Sequence, residues 1–321
     1  MWKVLGLLVS VLLVTASASK AEFPGDRITI VVPANPGGTN DIIARAVAPS
    51  VSESLGVPVI VENKIGSGGR LGAEAVVRAV PDGRTILMSA SHIQATQKWV
   101  YRKNMRYDPE TDLVPIAAVG ISSNVLLVRS ALPVNSVQEL IAYAKKNPGK
   151  LSYASVGVGT SSHLSAELFK SMAGLDILHI PYNGSAPALK DLLGGEVDMQ
   201  FENMPTALPH LSSGRVRPLA VTTKARSALL PELPTMEEAG LKGFEAAPWY
   251  CFVAPAKTPA PVIARLHAEL EAAMQKPEVA ALLERAGMAR LKMTPSELGA
   301  FMAAENLKWK EIVEKSGATV D

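Results

Sequence analysis

The sequence predicts an α/β protein built as two domains, and three observations predict it. The chain has 321 residues, about two domains at roughly 150 residues each. Short β-branched runs alternate along it with helical patterns, the signature of parallel sheets covered by helices. Several of these runs end in a small-residue loop just where a helix begins, the place at which such sheets hold ligands.

Residues 27–33 read as the first strand and 40–55 as the first helix, with Ile42, Ile43, Ala46, Val47, Val51 and Leu55 on its apolar face. Further strands are expected over 57–63, 85–89, 124–129, 151–154, 177–182, 197–201 and 216–222. Amphipathic helices are expected over 71–80, 137–146 and 162–173, the last with Leu164, Leu168, Phe169 and Met172 at helical spacing. The C-terminal part changes character, with three successive helices over 261–275, 277–286 and 295–316. Thr294-Pro295-Ser296-Glu297 is a capping box with proline at the first helical position. Leu298, Phe301, Met302, Trp309, Ile312 and Val313 then form one apolar stripe, read as core. No internal repeat or low-complexity linker appears.

Hydrophobic residues make up 48% of the chain and charged residues 19%. The net charge of +2 and the lack of any like-charge block argue against a nucleic-acid partner. At the N-terminus Met1-Trp2-Lys3 precedes an apolar run over 4–14 and small residues over 15–21. Residues 1–21 therefore read as a secretory signal peptide. The run falls short of the ~20 residues a membrane span needs, so export without membrane insertion is expected. The single cysteine, Cys251, allows no intrachain disulfide. It stands in the apolar run 249–254 and reads as a buried small hydrophobe.

The motif that says most is Pro36-Gly37-Gly38-Thr39-Asn40-Asp41, at the junction of first strand and first helix. Its glycines let the backbone turn sharply and bare its N–H groups. The first N–H groups of a helix lack partners within it, and the dipole makes that end positive. A carboxylate or phosphate oxygen is a natural guest. The loop holds no lysine, histidine or cysteine, which favours gripping an anion over attacking it. Asp41 is expected to hold the loop in shape by bonding its backbone.

Three other junctions share this character: Ser89 to His92; 155–163, with Gly159, Thr160, Ser161, Ser162 and His163; and 181–185, with Tyr182, Asn183 and Gly184. Any one of them can be a plain helix cap. Four together describe a site wrapped from several sides. Asn203, after the strand at 197, is a candidate to reach a ligand amide or hydroxyl, against the plainer reading of a turn at Met204-Pro205 with a helix from Thr206. Trp249 and Tyr250 supply either an apolar wall for the ligand or core packing.

Other chemistries fit poorly. Gly157-Val158-Gly159 has Ser162 where a dinucleotide fingerprint needs its last glycine, the glycines over 66–72 fail on spacing, and there is no P-loop. None of the five histidines forms H-E-x-x-H, so neither metal nor cofactor is expected. G-x-S-x-G is absent, which weakens a secreted hydrolase using Ser161 or Ser162 with His163.

Several blocks carry a family resemblance. They include Ile30-Val31-Val32-Pro33, Pro36-Gly37-Gly38 with Asp41, Val61-Glu62-Asn63, Pro81-Asp82-Gly83, Tyr153-Ala154-Ser155, Gly159-Thr160 with His163-Leu164, Pro181-Tyr182 with Gly184, and Asp191-Leu192-Leu193-Gly194-Gly195. With them the sequence resembles the periplasmic substrate-binding proteins of tripartite tricarboxylate transporters, the Bug family. The resemblance implies a two-domain periplasmic-binding-protein (Venus flytrap, type II) fold with a hinge of crossing strands. Domain 1 would comprise 22–122 and 247–321, and domain 2 would comprise 123–246. It implies a small carboxylate in the cleft, held by backbone amides, hydroxyls and ordered waters from Gly37-Gly38-Thr39 and Gly159-Thr160-Ser161. The expected protein is a monomeric, non-enzymatic periplasmic receptor serving a membrane permease, with domain closure as the signal; the alternative partner is a sensor kinase. The sequence departs from the family at Ala34-Asn35, where an aromatic and a proline are common, at Asn183, often lysine, and at Cys251, often glycine. These departures leave the far end of the ligand open between a carboxylate, an amide and a ring.

Overall fold

The computed structural model describes residues 23–318; the expected signal peptide over 1–21 lies outside them. The first sheet is built from β1 (Ile28–Val32), β2 (Val59–Asn63), β3 (Thr85–Ala90), β4 (Leu113–Ile121), β10 (Trp249–Pro255) and β11 (Ala289–Arg290), in the order β11-β4-β10-β3-β1-β2. The second holds β5 (Asn124–Arg129), β6 (Ser152–Ser155), β7 (Leu178–Pro181), β8 (Met199–Asn203) and β9 (Val216–Val221), in the order β7-β6-β8-β5-β9. The helices are α1 (Thr39–Leu55), α2 (Arg70–Val77), α3 (Gln97–Val100), α4 (Val137–Lys146), α5 (Ser161–Ala173), α6 (Ser185–Gly194), α7 (Met204–Leu211), α8 (Ala260–Gln275), α9 (Pro277–Arg285) and α10 (Pro295–Ser316).

The expectation of parallel sheets holds only in part. β1 runs parallel to β2 and β3, and β6 parallel to β7 and β8. β10 is antiparallel to β3 and β4, and β5 antiparallel to β8 and β9. These are the strands on which the chain changes sheets. It leaves the first sheet after Ile121, enters the second at Asn124, and returns along β10. The two crossings touch, Ser122 N donating to Pro248 O at 2.9 Å.

Three strands were not expected: β4, β10 and the two-residue β11. β4 carries Pro115 and Gly120, residues that weaken a strand pattern. Pro115 sits beside a register shift in the pairing with β10, where a missing ladder donor is tolerated. Gly120 has the backbone of Ala289 packed where its Cβ would be. β8 lies two residues later than expected and takes in Glu202 and Asn203. Consequently α7 starts at Met204, not Thr206, with Pro205 in its first turn.

One apolar cluster joins Val31, Leu87 and Cys251 of the first sheet with Leu126 and Phe201 of the second, through Trp249 and Trp309. Helix α10 packs on both β4 and α5. Its stripe is core as expected: Leu298, Trp309 and Val313 are buried, and Phe301 and Met302 pack against them. Its capping box is formed, Thr294 Oγ1 accepting from Glu297 N at 3.3 Å and Glu297 Oε2 accepting from Thr294 N at 2.8 Å. Thr294→Ala is expected to lower the unfolding free energy in urea by about 1 kcal/mol; an unchanged value would mean the cap adds nothing beyond packing. Among the described residues no helix is long and apolar enough to cross a membrane.

Candidate functional site

Helix α1 begins on Gly38, which offers no side-chain cap. Its first N–H groups are therefore left to the loop and to whatever faces it. Gly37, at φ +80°, supplies the left-handed turn. Asp41 lies beneath this loop. Its carboxylate accepts from Gly37 N, Arg45 Nε and Asn63 Nδ2, each at 2.9 Å, and Asn63 Nδ2 also donates to Ala34 O at 2.9 Å. Burial works to raise the Asp41 pKa, but the bonds from Arg45, Gly37 and Asn63 outweigh it and hold the carboxyl below its ordinary value.

Three helices of the second sheet begin on the same space. Thr160 caps α5, its hydroxyl accepting from His163 N at 3.5 Å and donating to Gly157 O at 2.6 Å. Gly184 at φ +108° and Asn203 stand before α6 and α7, neither with a side-chain cap. The first residues of α1, α5, α6 and α7 enclose a cavity of about 330 Å³, within the ~300–1,000 Å³ of small-molecule sites. Bonds bridge its two sides. Asn35 Nδ2 donates to Asn183 O at 2.5 Å and Thr96 Oγ1 to Gly159 O at 2.6 Å.

Among the described residues, no lysine, arginine, aspartate or glutamate lines this cavity. Burial pushes the His92 pKa down to about 4, so its imidazole is neutral at physiological pH. Tyr250 OH donates to Asn203 Oδ1 at 3.2 Å, and Ser161 Oγ to the same oxygen at 3.4 Å. The Asn203 amide nitrogen is thereby left for a guest. Thr39 Oγ1 is buried close to the Tyr250 hydroxyl without a well-formed bond. The arrangement offers an anion uncharged donors and positive helix ends from two sides.

Of the expected site residues, Gly37, Gly38, Thr39, Asn40, His92, Thr160, Ser161, Tyr182, Asn183, Gly184 and Asn203 line the cavity. Six do not. Asp41 supports the loop from below, as described. Ser89 is fully buried on β3 opposite Cys251, accepting from Gln94 Nε2 at 2.8 Å. Gly159 donates its N–H to His163 Nδ1 at 3.2 Å and accepts from Thr96, so its backbone serves the fold. Ser162 is one residue further round α5 and fully buried. His163 stacks on His179 with ring centres 4.4 Å apart, and burial drives its pKa down to about 3. Trp249 points into the core, its indole donating to Glu305 at 2.9 Å, while the neighbouring Tyr250 faces the cavity. With Ser161 bonded to Asn203 and His163 to Gly159, these residues do not form the nucleophile–base pair of a hydrolase.

A family model described as "Tripartite tricarboxylate transporter family receptor" matches residues 43–318. The chain belongs to this receptor family. BugT of Bordetella pertussis is 36% identical to it over 315 residues, 98% of this chain and 97% of that protein. Among solved structures, R. palustris Rpa4515 with adipate superposes at TM-score 0.88 with 37% identity, covering 92% of this chain and 99% of its own. MatC from Rhodopseudomonas palustris with bound malate gives TM-score 0.86 and 30% identity, covering 91% and 100%. The receptor thus has the two-domain periplasmic-binding-protein fold that the sequence blocks implied, and it is a solute-binding protein, not an enzyme.

The receptor's cavity also uses Thr206, His210 and Pro248, to which the sequence did not point, together with Tyr250, the wall alternative, and Asn35 and Ser185, which it did not assign to the site. Asn35 departs from the family habit at that position, and that departure was the available signal. Ser185 and Thr206 follow directly on Gly184 and Asn203, as first-turn residues of α6 and α7.

Proposed function

We propose that this receptor captures a small organic acid between its two domains in the periplasm and delivers it to the membrane permease of a tripartite transporter. The carrying observation is the cavity onto which four helix N-termini open and which has no charged wall. In this reading one carboxylate sits against Gly37-Gly38-Thr39 and Thr160-Ser161. Bonds to a charged group contribute about 1.5–3 kcal/mol each, so a few suffice for micromolar binding, about −8 kcal/mol. Adipate and malate in the related structures support the ligand class, and sheet membership supports a division into 22–122 with 247–321 and 123–246. Export by the segment 1–21 and action as a monomer complete the proposal.

A thermal-shift screen of mono-, di- and tricarboxylates, aromatic acids and their amides tests it. At least one carboxylate is expected to raise the midpoint in a concentration-dependent way, by linkage, while the matching amines leave it unmoved. A screen in which amines shift the midpoint and acids do not would overturn the reading.

A further inference from the structure

Glu202, the penultimate residue of β8, stands directly behind the wall of the cavity formed by α6 and α7, and it is fully buried. Its Oε1 accepts from Ser185 Oγ and Asn203 N, each at 2.9 Å, and from the Thr206 hydroxyl. Gln200 Nε2 donates to its Oε2. Ser185, Asn203 and Thr206 all line the cavity. Each of these donors is uncharged, and a buried carboxylate without a countercharge is costly to the fold. Wall packing alone does not call for one.

The chemistry lies in the hydroxyl protons. A hydroxyl has one proton and two lone pairs. While Glu202 is ionised, Ser185 turns its proton back to it, Thr206 holds its proton between Glu202 and the Asn203 carbonyl at 2.9 Å, and both present lone pairs to the guest. When Glu202 holds a proton, it becomes a donor, and the Ser185 hydroxyl is freed to donate into the cavity, whereas Thr206 keeps Asn203 O as an acceptor. Tyr182 OH is likewise engaged, donating to Asp191 at 2.7 Å. A second ligand carboxylate set against the Ser185 and Thr206 hydroxyls would meet lone pairs, with the Glu202 charge one hydroxyl behind them; the donor beside them is the Asn203 amide nitrogen.

We propose that Glu202 decides which far end the cavity accepts: ionised, it selects a guest ending in a hydrogen-bond donor such as a hydroxyl or amide, and it admits a second carboxylate only when the Glu202–Ser185–Thr206 cluster takes up one proton. This rests on the reading that the first carboxylate is held at α1 and α5. Burial raises the Glu202 pKa to about 7 against its four hydrogen bonds, so the proton is exchangeable near neutrality.

Most of the surrounding titratable groups have partners of their own. On β5, Arg129 pairs with Asp198 at 2.7 Å. On α5, Glu167 pairs with Lys170 at 2.7 Å and accepts from Tyr153 of β6 at 2.5 Å, and His163 stacks on His179. Helix α6 carries Lys190 and Asp191, the latter accepting from Tyr182, and α7 carries His210, which itself lines the cavity. On β10 Tyr250 feels Glu202: its hydroxyl pKa is raised by burial and further by the Glu202 charge.

Calorimetry on the mature chain between about pH 6.5 and 8.5, where an ordinary carboxylic acid is ionised, compares adipate with 6-hydroxyhexanoate, and succinate with 4-hydroxybutyrate. The hydroxy acids are expected to bind with flat pH profiles. The diacids are expected to weaken about tenfold per pH unit above neutrality, with buffers of different ionisation enthalpy showing one proton taken up per ligand. In Glu202→Gln both the slope and the uptake should vanish, with a thermal melt confirming the fold. If that variant does not fold, proton uptake by the wild type decides alone. Diacid binding without pH dependence or uptake overturns the proposal, as does tighter binding of diacid than hydroxy acid at the alkaline end. If no acid of either pair binds and the wider acid screen is blank as well, the carboxylate reading itself falls and takes this one with it, a result distinct from a flat profile.

Discussion

Asp41→Ala is expected to cost about 3 kcal/mol of stability and to weaken acid binding by about a hundredfold. The carboxylate joins the glycine loop through Gly37 N, the second strand through Asn63, and its own helix through Arg45. Its removal orphans the Gly37 N–H and one Asn63 N–H. Breaking a buried charged network costs about 3–5 kcal/mol. Arg45 is half-exposed, and water screens that part of the loss, which brings the figure to the lower end. The effect on affinity follows from geometry. Without Asp41 the loop no longer holds its N–H groups at one point, and each tenfold in affinity is only about 1.4 kcal/mol. Urea unfolding and calorimetry with adipate measure the two effects. Asp41→Asn, which keeps an acceptor for Gly37 but loses the charge, should fall between wild type and alanine. Full affinity in the alanine variant would show that this loop does not grip the ligand.

Acid is expected to destabilise the receptor well before its carboxylates titrate as a class. Burial is the largest cause holding His163 down to about 3, and His92 and His179 down to about 4. In the unfolded chain each would titrate near 6.5. Below that value the unfolded state binds more protons than the folded one, so stability falls with pH. The contribution of these imidazoles is complete above about 6.5 and is lost progressively toward about 4. At about 1.4 kcal/mol per unit, His163 alone supplies about 3 kcal/mol over the roughly two units from 6.5 down to 4.5. Glu202 has the opposite sign. Its folded pKa, about 7, lies above its unfolded value, so its contribution is present at low pH and lost as pH rises. It offsets part of the loss, leaving a net fall of about 3 kcal/mol or more between pH 7 and 4.5. Urea unfolding at the two pH values measures this. A free energy level across that interval would mean that the imidazoles take up protons as readily in the folded protein as in the unfolded chain.

The parts of the site that could be read from sequence are those whose cause is local. Pro36-Gly37-Gly38 announced a turn before a helix, and the structure has Asp41 bonding the Gly37 backbone as expected. Thr160, Gly184 and Asn203 stand before helices for the same local reason. The misses come from choices of face. In a strand, neighbours point to opposite sides, so one step separates wall from core. Trp249 and Tyr250 differ in just this way, and the partners of β10 that decide between them, β3 and β4, lie more than a hundred residues upstream. Ser161 and Ser162 differ by one step around α5. Glu202 is not legible as a wall support because a strand over 197–201 ends just before it, and the carboxylate then reads as part of a turn. The α/β class was legible in the alternation of patterns. The antiparallel entry of β5 and β10 was not, because strand direction is set by where a chain re-enters a sheet.

Cys251 sits between β3 and β4 in the first sheet, fully buried, and burial raises its thiol pKa. As the sole sulfhydryl of the sequence, it has no internal mate to oxidise with, and as a neutral thiol behind a closed ladder it offers glutathione or a disulfide-donating catalyst nothing to attack. Maturation therefore needs no oxidative step, and the finished molecule is indifferent to the redox poise of its surroundings.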